Sequence, residues 1–475
     1  MAEEIRTDIC VIGAGSGGLS VAAGTAQLGR PTVLIEKHRM GGDCLNTGCV
    51  PSKSLLAAAK AAQAVRGAGR FGIRTGEPQV DFAAVHAHVH GVIAAIEPND
   101  SVERFTGLGV RVLQTSARFT APDVVETADG HRIRARRFVV ATGSRAALPP
   151  IPGLDRVPVL TNETLFERTT APAHLLIIGG GPIGLEMAQA HRRLGARVTV
   201  LERGTLLPKD DPELVDVVRG RLAAEGIDLR ERVEILRVEP AAAGVAVLLK
   251  GLDGEERVEG SDLLVAAGRR PNIEDLGLDA AGIAATPKGI AVDARLRTSN
   301  RRVFAIGDVA GGPQFTHVAG YHAGIVVRNA LFRLPAKVDY SALPWVTYTD
   351  PELAHVGLTE AQARERFGDV RVVRWPLHEN DRAQAERETA GLAKVVLRRN
   401  GRILGASIVG AHAGELIQPW VLALASRLKI GAFTGLIAPY PTLGEVSKRA
   451  AGSFYTPSLF SDRTRRLVRW LAKLG

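Results

Sequence analysis

One pattern of glycines occurs twice, and that repeat limits the possible folds more than any other feature. Gly13, Gly15, Gly18, Gly29 and Glu36 recur as Gly179, Gly181, Gly184, Gly195 and Glu202, each pair 166 residues apart. In both copies a short apolar strand runs into a glycine turn (TDICVIGAGSGG, LLIIGGGPIGLEMA), and a second strand ends at the acid. The first glycine permits a tight turn, the second lets backbone N–H groups approach a pyrophosphate, and the third lets helix pack on strand. The terminal acid accepts hydrogen bonds from a ribose hydroxyl. Two copies with strand, turn, helix and acid in register predict two doubly wound dinucleotide-binding units.

Three further apolar strands end in small-residue turns: FVVATGSR, with Thr142 and Gly143; LLVAAGRRPN; and RRVFAIGDVAGG, with Gly307 and Asp308. An acid placed there can meet a ligand hydroxyl. From about Leu343 the pattern changes. LAKVVLRRNGRILGASIVGA reads as a hairpin about Asn400–Gly401, and ELIQPWVLALASRL reads as a helix. The expected architecture is therefore α/β, with two doubly wound Rossmann-like nucleotide-binding domains at 1–150 and 151–272. A central segment, 273–342, completes the first site, and an α+β domain follows at 343–475.

The chain's 475 residues, 45% hydrophobic, suffice for several cores. Its net charge of +10 favours anionic partners such as nucleotide phosphates. No aromatic-studded basic stretch or zinc-finger spacing is present, so no nucleic-acid partner is expected. Residues 9–29 carry no charge, but their glycines make a poor apolar helix and the preceding MAEEIRTD is acidic. A cytoplasmic protein is expected.

Of only three cysteines, Cys10 lies inside a strand and reads as a small core residue. Cys44 and Cys49, in GGDCLNTGCVPSK, are close enough for a disulfide if the loop folds back. Cys49 falls at a helix start, where a thiol loses its proton more readily.

That motif, joined to two dinucleotide fingerprints, AIGDVAG and a C-terminal α+β domain, resembles the pyridine nucleotide-disulfide oxidoreductases, among them dihydrolipoamide dehydrogenase, glutathione reductase and mercuric reductase. The resemblance covers nearly the whole chain. It implies an FAD-bound homodimer in which NADH or NADPH reduces flavin and flavin reduces a Cys44–Cys49 disulfide. By resemblance Cys49 lies against the flavin, Cys44 exchanges with substrate, and Lys53 sits near the flavin's reactive nitrogen with Glu186 as its partner; the alternative for both is a solvated surface charge. FAD is expected on Gly13, Gly15, Gly18, Glu36, Lys53, Thr142, Gly143, Gly307 and Asp308. The nicotinamide nucleotide is expected on Gly179, Gly181, Gly184 and Glu202, whose charge favours NADH, with Arg203 beside it.

The disulfide-reducing members carry a C-terminal histidine before Pro-Thr that acts as acid and base. Here the residues are Tyr440-Pro441-Thr442-Leu443-Gly444-Glu445. Ordinary Tyr titrates near 10 and His near 6.5, a gap of about 5 kcal/mol against proton cycling at neutral pH. Tyr440 can still donate a hydrogen bond to a thiolate, with Glu445 orienting it. Tyrosine here is similar to mercuric reductase; with no cysteine pair read near TRRLVRWLAKLG and no metal-carrying domain read before the first fingerprint, efficient mercury relay is not expected. The expected acceptor is a small disulfide or dithiol. The alternatives are a thiol-bound metal ion, or a redox-sensing or membrane-associated flavoprotein with an impaired acid–base step.

No metal site is expected: of His86, His88 and His90, only His86 and His90 share a helix face. His317 can lie near the flavin or serve as a cap or core residue. The tail sets Leu467, Leu471 and Leu474 beside Arg463, Arg465, Arg466, Arg469 and Lys473, an amphipathic helix that closes over its own dimer or, less often, lies on anionic membrane.

Overall fold

An inner strand of a parallel sheet is covered on both faces, so its sequence reads as an unbroken apolar run. ICVI at residues 9–12 is such a run. In the computed structural model, which describes residues 4–242, 244–251 and 254–474, it ends the strand Glu4–Ile12, paired in parallel with Thr32–Glu36 on one side and Arg132–Val140 on the other. The acidic stretch's first three residues and Gly475 of the tail lie outside the described residues.

The chain divides into two units, Met1–Gly179 with Arg193–Arg197 and Ile235–Val338, and Gly180–Arg192 with Val198–Glu234 and Asp339–Gly475. In the first unit the sheet continues outward through Val110–Gln114, beside Thr32–Glu36, and Val303–Ala305, beside Arg132–Val140, both parallel. The antiparallel strands Val124–Thr127 and Ala117–Ala121 complete it. Helix Ser16–Gln27 links the first two strands. Side chains alternate across the sheet: Val11, Leu34 and Val139 join one apolar cluster, while Cys10, Ile12, Val33 and Phe138 join another. Cys10 is fully buried, and burial pushes its thiol pKa up. His174–Ile178 and Asp262–Val265 form a second parallel pair in this unit.

In the second unit Thr199–Glu202 runs parallel with Asp228–Glu231, and a five-stranded antiparallel sheet is ordered Pro344–Thr347, Glu352–Gly357, Ile403–Gly410, Leu392–Leu397, Arg371–Pro376. The hairpin turns at Asn400–Gly401, with Gly401 at φ +80°. The single helix expected over ELIQPWVLALASRL is instead two, Ala413–Leu416 and Gln418–Ala425, because Pro419 lacks an N–H and begins a new helix. Trp420 anchors the second of these, stacked on Phe433 at 3.8 Å with its indole N–H donating to Ser447 Oγ at 3.0 Å.

Under this sheet Lys394, its side chain 4% exposed, donates to Asp211 at 2.7 Å, Glu213 at 2.8 Å and Glu360 at 2.9 Å. Burial pushes Glu360 up, but Lys394 and Arg364 outweigh it and hold its carboxyl at about 2. Because that value lies below the ordinary 4.5, the stabilisation is complete above about pH 4.5 and is lost as pH falls toward 2. Lys394→Met leaves three carboxylates without their shared cation. It is expected to destabilise the protein by about 3–5 kcal/mol, read as a lowered denaturation midpoint at pH 7; a loss under about 1 kcal/mol would contradict this account.

Helix Asp462–Leu471 ends the described chain, with Leu467, Val468, Trp470 and Leu471 all about half exposed in this chain. Among the described residues no helix is long and apolar enough to cross a membrane.

Candidate active site

The first fingerprint is shaped by what each glycine must avoid. A Cβ on Gly13, at φ +103°, would lie 2.4 Å from the Ala141 carbonyl, and one on Gly18 would lie 1.8 Å from the Gly13 carbonyl. A Cβ on Gly15 meets nothing within 4 Å, and as N-cap of Ser16–Gln27 Gly15 supplies no side-chain hydrogen bond to the helix's first N–H groups. Two glycines are thus filled by the protein's own backbone, while the third faces open space at a helix N-terminus, the arrangement a pyrophosphate requires. Glu36 accepts from Ala14 N at 2.6 Å and His38 N at 2.8 Å; a carboxylate retains lone pairs for a ribose hydroxyl. The residues fit a dinucleotide.

The redox loop is built onto this cradle. Gly41 N donates to Ala14 O at 3.0 Å, and a Cβ on Gly42, at φ +59°, would lie 2.7 Å from Gly15 Cα. A short helix, Gly42–Asn46, carries Cys44, and Cys49 is the first residue of helix Cys49–Gly67. Asp43 Oδ1 accepts from Thr47 Oγ1 and Asn162 Nδ2, both at 2.9 Å, holding the loop folded back.

Both sulfurs are thiols here. Cys49 Sγ lies 3.2 Å from Thr316 Oγ1. The hydrogen bond from Cys44 lowers the Cys49 thiol pKa most; Thr316 and the charge of Lys53 add to it against burial, bringing it to about 6. Cys44 is pushed up, by the same pairing and by burial. Cys49 is therefore the thiolate at neutral pH, and Cys44 keeps its proton. Alkylation of the reduced protein by iodoacetamide is expected to show a Cys49 midpoint near pH 6, read by peptide mass spectrometry. Thr316→Val should raise it by about one unit, since a hydrogen bond to a charged group is worth at least that much. A midpoint near the ordinary 8.5 would contradict the assignment.

Asp308 lies in the same unit. Burial pushes its carboxyl up, partly offset by Ser144 Oγ, which donates at 2.5 Å, and by Arg269 at 3.7 Å. Arg269 also reaches Ser144 Oγ at 2.7 Å and Asp43 at 3.3 Å, tying the Asp308 turn to the redox loop. Gly307 N donates to His322 Nδ1 at 3.1 Å, and burial holds that imidazole neutral, near 4. Thr142 and Gly143 are fixed against Asn272: Thr142 Oγ1 donates to Asn272 O at 2.7 Å, and Asn272 N donates to Gly143 O at 3.0 Å. None of Thr316, Ser144, Arg269 or His322 was singled out from the sequence. Its place just after the Asp308 motif had pointed to His317, near the flavin or as a cap or core residue; its side chain is exposed and stacked on Phe315 at 5.1 Å, and its neighbour Thr316 is what meets Cys49.

The second fingerprint repeats the first in detail. Gly179, at φ +118°, would set a Cβ 2.5 Å from the Ala266 carbonyl, Gly181 again faces open space, and Gly184 is buried. Glu202 accepts from Gly180 N at 2.6 Å and Gly204 N at 2.7 Å, the same two hydrogen bonds that Glu36 makes, 166 residues on.

Lys53, half-buried, belongs to the first unit, and Glu186 to the second. Glu186 is 4% exposed, so it is no solvated surface charge, and its Oε1 accepts from Tyr348 N at 3.0 Å. Tyr440 is 68% exposed, and its hydroxyl donates to Asp381 Oδ2 at 2.9 Å. The carboxylate orienting it is thus Asp381, where Glu445 was expected; Glu445 begins helix Glu445–Leu459. The bond to Asp381 raises the Tyr440 pKa further from neutrality.

Residues 7–323 match the family described as pyridine nucleotide-disulphide oxidoreductase, and residues 343–451 match the dimerisation domain of the same family. A mercuric reductase of Streptomyces lividans is 37% identical over 454 residues, covering 94% of this chain and 96% of that protein. A dihydrolipoyl dehydrogenase of Geobacillus stearothermophilus is 34% identical over 455 residues, covering 94% and 96%. The HOCl-induced flavoprotein disulfide reductase RclA of Escherichia coli, solved as a Cu(II) complex, superposes with a TM-score of 0.84 at 28% identity, covering 93% of this chain and 99% of that one.

Proposed function

The chain belongs to the pyridine nucleotide-disulphide oxidoreductases, enzymes dependent on FAD and a pyridine nucleotide, and from that premise we propose that it passes electrons from NADH through FAD to a Cys44–Cys49 disulfide and on to a small disulfide or dithiol. The observation that carries the reading is the redox loop seated on the first cradle: Gly42 packs against Gly15, and behind it Cys49 is a thiolate held by Cys44, Thr316 and Lys53. We further propose that it works in the cytoplasm as a homodimer through the domain at 343–475, with FAD bound by 1–150 and 273–342 and nicotinamide by 151–272.

When bound, the flavin supplies two-electron transfer between nicotinamide and disulfide. Gly13, Gly15 and Gly18 bind the pyrophosphate, and Glu36 and Asp308 accept hydroxyl hydrogens. Thr142, Gly143 and Gly307 would shape the turns beside them, and Lys53 would bring positive charge to the ring. Gly179, Gly181, Gly184 and Glu202 do the same for NADH; the Glu202 carboxylate repels a 2′-phosphate.

Once reduced, Cys44 loses its proton and attacks one acceptor sulfur, releasing the first thiol and leaving a mixed disulfide. The Cys49 thiolate then attacks Cys44, releasing the second thiol and re-forming Cys44–Cys49. Overall NADH, one proton and one disulfide become NAD⁺ and two thiols. Tyr440 keeps its hydroxyl hydrogen on Asp381 and so supplies no proton to this exchange.

A second reading, transfer to a thiol-bound metal ion, is favoured by Tyr440. With its hydroxyl held by Asp381 and its pKa raised, it is a poor base for drawing a proton from Cys44, whereas a soft metal ion displaces that proton itself. Turnover with lipoamide, glutathione disulfide and Hg(II), each with NADH and NADPH, separates the two: disulfide turnover supports the first, turnover with Hg(II) alone the second.

A further inference from the structure

His86 and His90, at i and i+4 on helix Phe82–Ile96, place their rings side by side with centroids 4.2 Å apart. Such a pair supplies two nitrogens to one ion from a single helix face. The third donor comes from elsewhere in the same unit, at Leu165–Glu167, the short turn preceding the strand His174–Ile178. There Leu165 and Phe166 are buried and Glu167 is turned outward beside the rings, Oε2 3.8 Å from His90 Nε2. One potential ligand atom from each of His86, His90 and Glu167 lies within 4.8 Å of the other two, and among the described residues no other trio of metal-ligating side chains meets that condition.

We propose that His86, His90 and Glu167 form a site for a divalent transition-metal ion, separate from the redox sulfurs, that clasps the helix Phe82–Ile96 to the turn Leu165–Glu167. Two imidazoles and one carboxylate suit Zn²⁺ or Cu²⁺ rather than Mg²⁺ or Ca²⁺, which prefer all-oxygen sets. Bonds of about 2.0–2.2 Å bring ligand atoms to roughly 3.4 Å from one another, so closing on an ion requires side-chain shifts of about 1 Å. His90 Nε2 also lies 3.1 Å from the Phe166 carbonyl; while it donates there it carries the proton, so the ion is bound either through the other nitrogen of that ring or by Nε2 giving up the carbonyl contact. With three protein donors and side chains still partly open to solvent, the ion keeps at least one exchangeable position.

The test uses the full-length holoprotein carrying C44S and C49S, so that the redox sulfurs contribute no ligand. Equilibrium dialysis against Zn²⁺ is expected to give one ion per chain. His86→Gln, His90→Gln and Glu167→Gln should each weaken binding at least tenfold, while His88→Gln, on another face of the same helix, leaves it unchanged. With Cu²⁺, electron paramagnetic resonance should show coupling to two ring nitrogens, reduced to one in His86→Gln. No stoichiometric uptake, or uptake that the three substitutions leave intact or that His88→Gln abolishes equally, would overturn the proposal.

Discussion

Cys49→Ser is expected to lower NADH-dependent turnover of every acceptor by at least about 10³-fold while FAD content stays at one per chain. A serine hydroxyl cannot form a disulfide and is not ionised at neutral pH, so the second exchange step has no nucleophile. The size of the effect follows from the division of labour between the sulfurs. Cys49 is the ionised member, lowered to about 6, and Cys44 is the one that keeps its proton. Cys44→Ser should be comparably inactive yet retain a Cys49 that iodoacetamide alkylates, though at a higher pH because its strongest hydrogen-bond donor is altered. Steady-state assays with lipoamide, glutathione disulfide and Hg(II) check this, and a loss of less than tenfold with all three would remove Cys49 from the electron path.

Tyr440→His is expected to raise disulfide turnover by about 10²- to 10⁴-fold, the usual contribution of a positioned acid–base group, without raising Hg(II) turnover. Tyr440 is a poor base to begin with and is made poorer by Asp381, whereas histidine exchanges protons near neutrality. Asp381 lies within hydrogen-bonding distance of the side chain at this position, so the imidazole would find a carboxylate to set its tautomer. Disulfide turnover unchanged or reduced would show that proton transfer at residue 440 does not limit the reaction.

The parts of this site visible in the sequence are those made by residues close together along the chain. The two fingerprints could be aligned by eye because turn, helix and acid fall within about two dozen residues of one another, and the structure extends the match to the paired backbone donors at Ala14 and His38, Gly180 and Gly204. The redox loop and its helix were equally plain, since Cys44 and Cys49 stand five positions apart in one motif. What escaped was contributed from far away. Thr316 meets Cys49 across 267 residues, Ser144 meets Asp308 across 164, and Asp381 meets Tyr440 across 59. No local periodicity marks a threonine or serine as a site residue, and the nearby histidine at 317 drew attention that belonged to its neighbour. The helix broken at Pro419 is a different kind of miss: its apolar spacing was read without giving weight to the missing N–H.

The central claim is that two electrons beyond those held by flavin reside on Cys44 and Cys49. Anaerobic reductive titration of the purified protein measures this directly. Four electrons per chain, falling to two in C49S, are predicted; two electrons per chain in the unaltered protein would contradict the account.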